Sequence, residues 1–268
     1  MTGRVLIVAG SDSGGGAGIQ ADIKTVTALG GYAATAVTAL TAQDTRGVHG
    51  VHSVPPDFIA QQMSLVLDDI GADAIKTGML GDAPTIDAVA LVLAEKGRGI
   101  PLILDPVMVA KGGASLLDSG AVGALTARLL PLAFLVTPNL PEAEVLTGRS
   151  LKTPDDMEAA ARALIGMGAR AALVKGGHLP GAEVVDVLVG PEGVRRFAGP
   201  RIESRSTHGT GCTLASAIAC SVAQDMGLEA AVARARAYVV RAIETAPGLG
   251  SGHGPLNHGH TVAPFEAD

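Results

Sequence analysis

Short apolar runs alternate with amphipathic helical patterns along most of this 268-residue chain. Residues 4–9, 33–40, 74–77, 102–104, 133–136 and 171–174 are the apolar runs, each short enough to be a buried strand. Between them, residues 19–29, 57–70 and 84–95 read as helices. Phe58, Ile59, Met63, Val66, Leu67 and Ile70 fall on one helical stripe. Pro84 stands near a first turn, where a missing N–H costs nothing. Thr153-Pro-Asp-Asp156 starts a further helix with a cap, a proline and first-turn acids, and the glycines at 166 and 168 stop it. Residues 213–224 and 229–245 predict two closing helices. The stretch 183–197 predicts a hairpin at one sheet edge, and the Gly- and His-rich tail after 248 predicts irregular structure. Strand followed by helix, repeated, predicts an α/β fold with a mostly parallel central sheet and helices on both faces. No linker, low-complexity segment or internal repeat interrupts the pattern, so a single domain is expected over 1–268.

Hydrophobic residues make up 47% of the chain and charged residues 17%, enough to bury a full-sized core. Aromatics are only 2%, without Trp, so Ala, Val, Leu and Ile must fill that core. The same scarcity argues against stacking platforms for single-stranded nucleic acid. With a net charge of −6 and no basic tract, nothing neutralises a phosphate backbone, and no nucleic-acid partner is expected. An anionic ligand must then be met locally, by helix N-termini and a few lysines. No apolar stretch is long enough to span a bilayer, and the first residues carry no signal-peptide pattern. A soluble, cytoplasmic protein with no membrane partner is the expectation. Cys212 and Cys220, if on one helix, stand roughly 12 Å apart, beyond the reach of a disulfide.

In an open parallel sheet, ligands bind outside the carboxyl ends of the strands. Here those ends carry the unusual chemistry. In chain order they are followed by Gly10-Ser-Asp-Ser-Gly-Gly-Gly-Ala-Gly18, Thr41-Ala-Gln43, Gly78-Met79, Asp105-Pro-Val-Met108, Thr137-Pro-Asn139-Leu-Pro-Glu142 and Lys175-Gly-Gly-His178. Turns need Gly and Pro. An Asp, an Asn-x-x-Glu and a Lys at matching positions exceed that need. Gly16-Ala-Gly18-Ile-Gln-Ala21 fits the dinucleotide pattern, but the next strand ends in the uncharged Thr41-Ala-Gln43 where a ribose-binding acid is required. A Walker A motif is absent. The stronger signal is Thr207-His-Gly-Thr-Gly-Cys212 ahead of a long helix. Its glycines allow a tight turn, and the amides of 209–212 then aim at one spot, an anion hole for a phosphoryl group in transit. Cys212 falls in the first turn, where the helix dipole is expected to draw its thiol pKa towards neutrality and make it a base. Cys220, inside an apolar helix, reads as structural.

These residues carry a resemblance over the whole chain. Ala9-Gly-Ser-Asp-Ser-Gly-Gly-Gly-Ala-Gly-Ile-Gln-Ala-Asp22, Thr38-Ala-Leu-Thr-Ala-Gln43, Lys76-Thr-Gly-Met-Leu80, Leu104-Asp-Pro-Val-Met-Val109, Thr137-Pro-Asn-Leu-Pro-Glu-Ala143, Val174-Lys-Gly-Gly-His178 and Thr207-His-Gly-Thr-Gly-Cys212 resemble, in order, the hydroxymethylpyrimidine and phosphomethylpyrimidine kinases of the ribokinase-like superfamily. The resemblance implies a ribokinase-like α/β fold, ATP and Mg²⁺ as cofactors, and a homodimer. It also implies two successive phosphorylations, of 4-amino-5-hydroxymethyl-2-methylpyrimidine and then of its monophosphate, in thiamine biosynthesis. Gly10, Asp22, Gln43, Met79 and Val107 are then expected around the pyrimidine, with the Gln43 amide offering the ring edge a donor beside an acceptor. Asn139, Thr207, Gly209, Thr210 and Gly211 are expected on the nucleotide, and Asp105 and Glu142 on Mg²⁺, partly through water. Glu142 also suits a first helical turn after Pro141, and both roles are compatible. Lys175 would neutralise phosphate charge and Cys212 would act as base. The histidines have no metal spacing and read as loop residues, His208 lying close to the nucleotide. One departure stands out: after Lys111 the family usually continues Ser-Gly-Asp-Pro-Leu-Leu, a flap, whereas this chain reads Gly112-Gly-Ala-Ser-Leu-Leu117. Lys111 is expected to reach the site when such a flap closes. A pyridoxal kinase, and a non-catalytic pyrimidine-binding protein on the same fold, are the rival readings.

Overall fold

The computed structural model describes residues 2–109, 113, 116–118 and 120–266. Nine strands form one sheet: β1 (Arg4–Asp12), β2 (Tyr32–Gln43), β3 (Val48–Ser53), β4 (Ala74–Thr77), β5 (Leu102–Leu104), β6 (Leu135–Val136), β7 (Ala172–Val174), β8 (Glu183–Gly190) and β9 (Gly193–Pro200), in the order β3-β2-β1-β4-β5-β6-β7-β8-β9. The six strands from β2 to β7 run parallel, and β3, β8 and β9 pair antiparallel at the two edges. The expected mostly parallel sheet and the expected edge hairpin are both present. Because β1 pairs with β2 on one side and β4 on the other, the strand order reverses there. The crevice at the carboxyl ends of β1 and β4 is where such a sheet binds ligands.

Helices α1 (Gly18–Ala28), α2 (Pro56–Asp69), α3 (Ala83–Lys96), α4 (Ala121–Ala124), α5 (Leu140–Thr147), α6 (Pro154–Gly166), α7 (Thr210–Ala223) and α8 (Leu228–Glu244) cover the faces. Side chains alternate along a strand, so β1 feeds two cores at once. Val5, Ile7 and Ala9 pack with α1, α7 and α8, while Leu6 and Val8 pack with α2, α3, α5 and α6. Cys220 is buried in the first of these layers, as a structural cysteine should be, and both cysteines are free.

Two features escape the hydrophobic pattern. β3 lies at the edge with almost every residue exposed, so it has no apolar face to announce it. β2 runs past residue 40 to Gln43 because β3 pairs with that extension, and the register shifts between Ala42 and Gln43. Such an irregularity re-aims a side chain at the end of a strand. No described helix is long and apolar enough to cross a membrane.

The tail after residue 248 is irregular yet firmly packed. The His253 amide donates to Thr45 O at 2.7 Å, and the His208 amide to Gly254 O at 3.1 Å. His258 is buried, with its Nε2 2.9 Å from the Thr213 hydroxyl in the first turn of α7. Burial pushes its pKa down to about 4, from 6.5. The folded state therefore binds that proton later than the unfolded chain does, so the stability His258 contributes is full above pH 6.5 and is lost as pH falls towards 4. We expect urea melts of the wild type to lose stability between pH 6.5 and 4 more steeply than those of His258→Gln. Identical slopes would contradict this account of the tail.

Candidate active site

The glycine loop after β1 is already occupied by its own chain. Asp12 Oδ1 accepts from the Gly14 amide at 2.8 Å, and Oδ2 accepts from Gly16 at 3.0 Å and Ala17 at 2.8 Å. Burial works to raise the Asp12 pKa, but the His208 side chain and the Ala17 and Gly14 amides outweigh it and hold the carboxylate ionised. Those amides are unavailable to a pyrophosphate, which removes the remaining support for a dinucleotide site.

The anion hole lies instead at the start of α7. First-turn amides of a helix have no intrahelical acceptor. Gly209 precedes them with φ +81°, and any Cβ there would collide with the Gly16 carbonyl oxygen. Only glycine lets the two loops meet this closely. A Cβ on Gly211 would stand 3.2 Å from Lys175 Nζ and 3.9 Å from Asp105 Oδ2, so this turn faces the charges at the ends of β5 and β7.

Those charges come in buried pairs. Lys175 Nζ lies 3.0 Å from Asp105 Oδ1, which also accepts from the Thr137 hydroxyl at 3.2 Å. Burial works against the Lys175 charge, but Asp105 and Glu142 outweigh it and keep the ammonium protonated. Its strand end is fixed from outside: the Gly176 amide donates to Asp186, and Asp186 is held by Arg236 at 2.7 Å. Lys76 and Asp22 make the second pair at 2.8 Å, both 0% exposed, and the Ser216 hydroxyl donates to the other Asp22 oxygen at 2.6 Å. Burial opposes the Lys76 charge too, and the carboxylates of Asp22 and Asp105 hold it on.

Asn139 and Glu142 form a capping box on α5, each side chain bonded to the other's backbone amide at 2.9 and 2.8 Å. Burial, reinforced by Asp105 and opposed by Lys175, lifts Glu142 to about 7. The capping role and exposure to the site hold together. Cys212 departs from expectation. Burial pushes its thiol up to about 11, and Asp22 and Asp105 add to the shift while Lys76 and the Gly18 amide oppose it. The dipole of one helix turn, worth roughly 1 kcal/mol, loses to burial beside two carboxylates.

One cavity of about 970 Å³ joins these groups. Its wall contains Gly10, Gln43, Met79, Asp105, Val107, Asn139, Glu142, Lys175, Thr207, Gly209, Thr210, Gly211 and Cys212, all expected from the sequence. Asp22 is the exception: it lies behind the wall, paired with Lys76, and acts on the site through its charge. Lys76 and Asp12, which the sequence does not single out, also line the cavity. A lysine inside a four-residue apolar strand was the available signal, since lysine is almost never fully buried without a partner. His208 is no free loop residue but is buried between Asp12 and Gln43. Lys111 and most of the altered flap, at 110–112 and 114–115, lie outside the described residues.

Comparison with known proteins decides the family. A model described as phosphomethylpyrimidine kinase matches residues 12–257. The chain belongs to the phosphomethylpyrimidine kinase family. It is 57% identical over 256 residues to the thiamine biosynthesis bifunctional protein ThiED of Geobacter sulfurreducens, covering 96% of this chain but only 52% of that one. It is 48% identical to the hydroxymethylpyrimidine/phosphomethylpyrimidine kinase of Streptomyces coelicolor, over 95% of this chain and 94% of that one. The ADP complex of Bacillus subtilis pyridoxal kinase superposes with a TM-score of 0.89 at 36% identity, over 97% of this chain and 98% of that one. The fold is thus ribokinase-like, and kinase membership implies ATP as phosphoryl donor.

For the Lys76–Asp22 pair, stability and catalysis can be measured apart. Lys76→Met leaves Asp22 charged and alone, at a cost of roughly 3–5 kcal/mol. Lys76→Met with Asp22→Asn should recover most of that stability in denaturant melts and none of the activity. Recovery of turnover in the double variant would show that Lys76 is structural only.

Proposed function

We propose that this protein transfers the γ-phosphoryl group of ATP to 4-amino-5-hydroxymethyl-2-methylpyrimidine, and then a second one to the resulting monophosphate, for thiamine biosynthesis. The observation that carries this is the joining, in one cavity, of a ring-reading end at Gln43, Met79 and Val107 to an anion hole flanked by Lys76 and Lys175. The same cavity wall includes Leu214, Val239 and Ile243, apolar side chains that suit an adenine base.

Gln43 holds the ring edge, and Met79 and Val107 wall its faces. The Gly209–Cys212 amides with Lys175 and Lys76 receive the charge that spreads over the phosphoryl oxygens in flight. Each such fixed donor contributes about 10²–10³ in rate. Asp105 and Glu142 supply carboxylate oxygens at the cavity wall, the hard donors that suit a magnesium ion keeping waters and phosphate oxygens in its shell. That ion, when bound, neutralises phosphate charge, and Glu142 must lose its proton to contact it. In the first step the thiolate form of Cys212 takes the hydroxyl proton and becomes the thiol. Its thiol is un-ionised at neutral pH, so the first step should quicken as pH rises towards the thiol pKa of about 11. In the second step the acceptor is an already ionised phosphate oxygen and needs no base.

The fold similarity to pyridoxal kinase favours one other substrate, pyridoxal, whose hydroxymethyl group is also ring-borne. ADP release with Mg²⁺, ATP and each acceptor separates the two. Both pyrimidines should turn over, with pyridoxal slower. Cys212→Ala should cost the first step roughly 10²-fold or more and the second far less. Faster turnover of pyridoxal would overturn the substrate assignment, and equal losses on both steps would overturn the base role.

A further inference from the structure

The hydrogen atoms around Gln43 can be counted, and the count gives His208 a task. His208 Nε2 lies 2.8 Å from Asp12 Oδ2 and 3.3 Å from Gln43 Nε2. The Thr41 hydroxyl lies 3.1 Å from Gln43 Oε1 and 2.9 Å from the Ser11 carbonyl oxygen. The two ends of an amide have the same shape, so the protons around it, and not its outline, decide which end faces His208. Asp12 is an acceptor only, so the ring nitrogen facing it must carry a proton; a bare lone pair there would be repelled. The same N–H also faces Gln43. An amide nitrogen turned towards it would set N–H against N–H. Thr41 has a single proton, and the Ser11 carbonyl takes it. The hydroxyl oxygen is then free to accept, and only the Gln43 nitrogen can donate to it. With Oε1 towards His208 and Nε2 towards Thr41, every proton finds an acceptor. In the opposite orientation two contacts fail at once.

We propose that His208, held by Asp12, is a positioning residue that locks the Gln43 amide in this orientation and so fixes the polarity with which the site reads its substrate ring. The inference rests on the pyrimidine reading above. The locked amide has one oxygen lone pair left on its His208 side and one N–H left on its Thr41 side. A ring edge that fits must put a donor towards His208 and an acceptor towards Thr41. A 4-amino group beside a ring nitrogen does this. The 4-oxo analogue, with its proton on the ring nitrogen, presents the same two positions with donor and acceptor exchanged. The lock therefore selects 4-amino over 4-oxo pyrimidines and fixes which way round the ring lies.

The test compares kcat/KM for the 5-hydroxymethyl-2-methylpyrimidines bearing 4-amino and 4-oxo groups. The wild type should prefer the 4-amino compound by roughly 100-fold or more. His208→Leu removes the lock but leaves Asp12 its three backbone donors, at Gly14, Gly16 and Ala17. Its preference should fall below about tenfold as the amide turns to suit either edge, and His208→Gln, which returns an N–H donor, should restore it. An unchanged preference in His208→Leu, or no preference in the wild type, overturns the proposal. Long-range ¹H–¹⁵N correlation on the wild-type protein reads the ring directly, whether or not the Leu variant folds. A proton on His208 Nε2 is expected, and a bare Nε2 overturns the lock. If neither pyrimidine turns over while Nε2 is protonated, the functional reading fails and the lock stands.

Discussion

Two ammonium groups stand at the heart of this site, and each is kept charged inside the protein only by a carboxylate beside it. Burial of an unpaired lysine would drive off its proton. Asp105 prevents that for Lys175, and Asp22 for Lys76. The pairs reach across the fold: 70 residues separate Lys175 from Asp105, and 54 separate Lys76 from Asp22. Neither exists until the sheet has placed β4 beside β1, and β5, β6 and β7 side by side. The positive charge that faces the anion hole is thus a product of the tertiary fold, in a chain whose net charge is −6.

The same economy governs the backbone donors. Two glycine-rich loops approach each other at the carboxyl edge, and only one keeps its amides open. Asp12 closes the loop after β1 from within, and that rigid loop then carries His208 and, through Ser13, the end of β2. The Ser13 hydroxyl both donates to Gln43 O and accepts from Gln43 N, each at 2.8 Å. The loop before α7 needs Gly209 because Gly16 lies against it. Ring recognition and phosphoryl stabilisation therefore share one scaffold, with the tail at 253–258 strapped across it.

Much of this was legible in the chain. Apolar runs located the buried parallel strands because both faces of each are covered, and the motifs at their ends located the cavity wall. β3 was hidden because an exposed edge strand needs no apolar alternation. Asp22 stands behind the wall and not on it because a carboxylate near the start of a helix looks the same in the chain whether it meets ligand or lysine. Cys212 shows a subtler limit. Its helix position was read correctly, but its pKa depends on Asp22, Asp105 and burial, all set by residues far away in sequence. His208 carried no spacing signal, since its partners come from β1 and β2.

The central claim is that one anion hole, made by the first turn of α7 between Lys76 and Lys175, holds the phosphoryl group in flight. A crystal structure with ADP, magnesium, aluminium fluoride and the hydroxymethylpyrimidine tests it most directly. The account predicts the fluoride group on the amides of 209–212, with both lysine ammonium groups in hydrogen-bond contact and the ring edge on Gln43. A fluoride group seated on the amides of Gly14, Gly16 and Ala17, with Asp12 displaced, would contradict it.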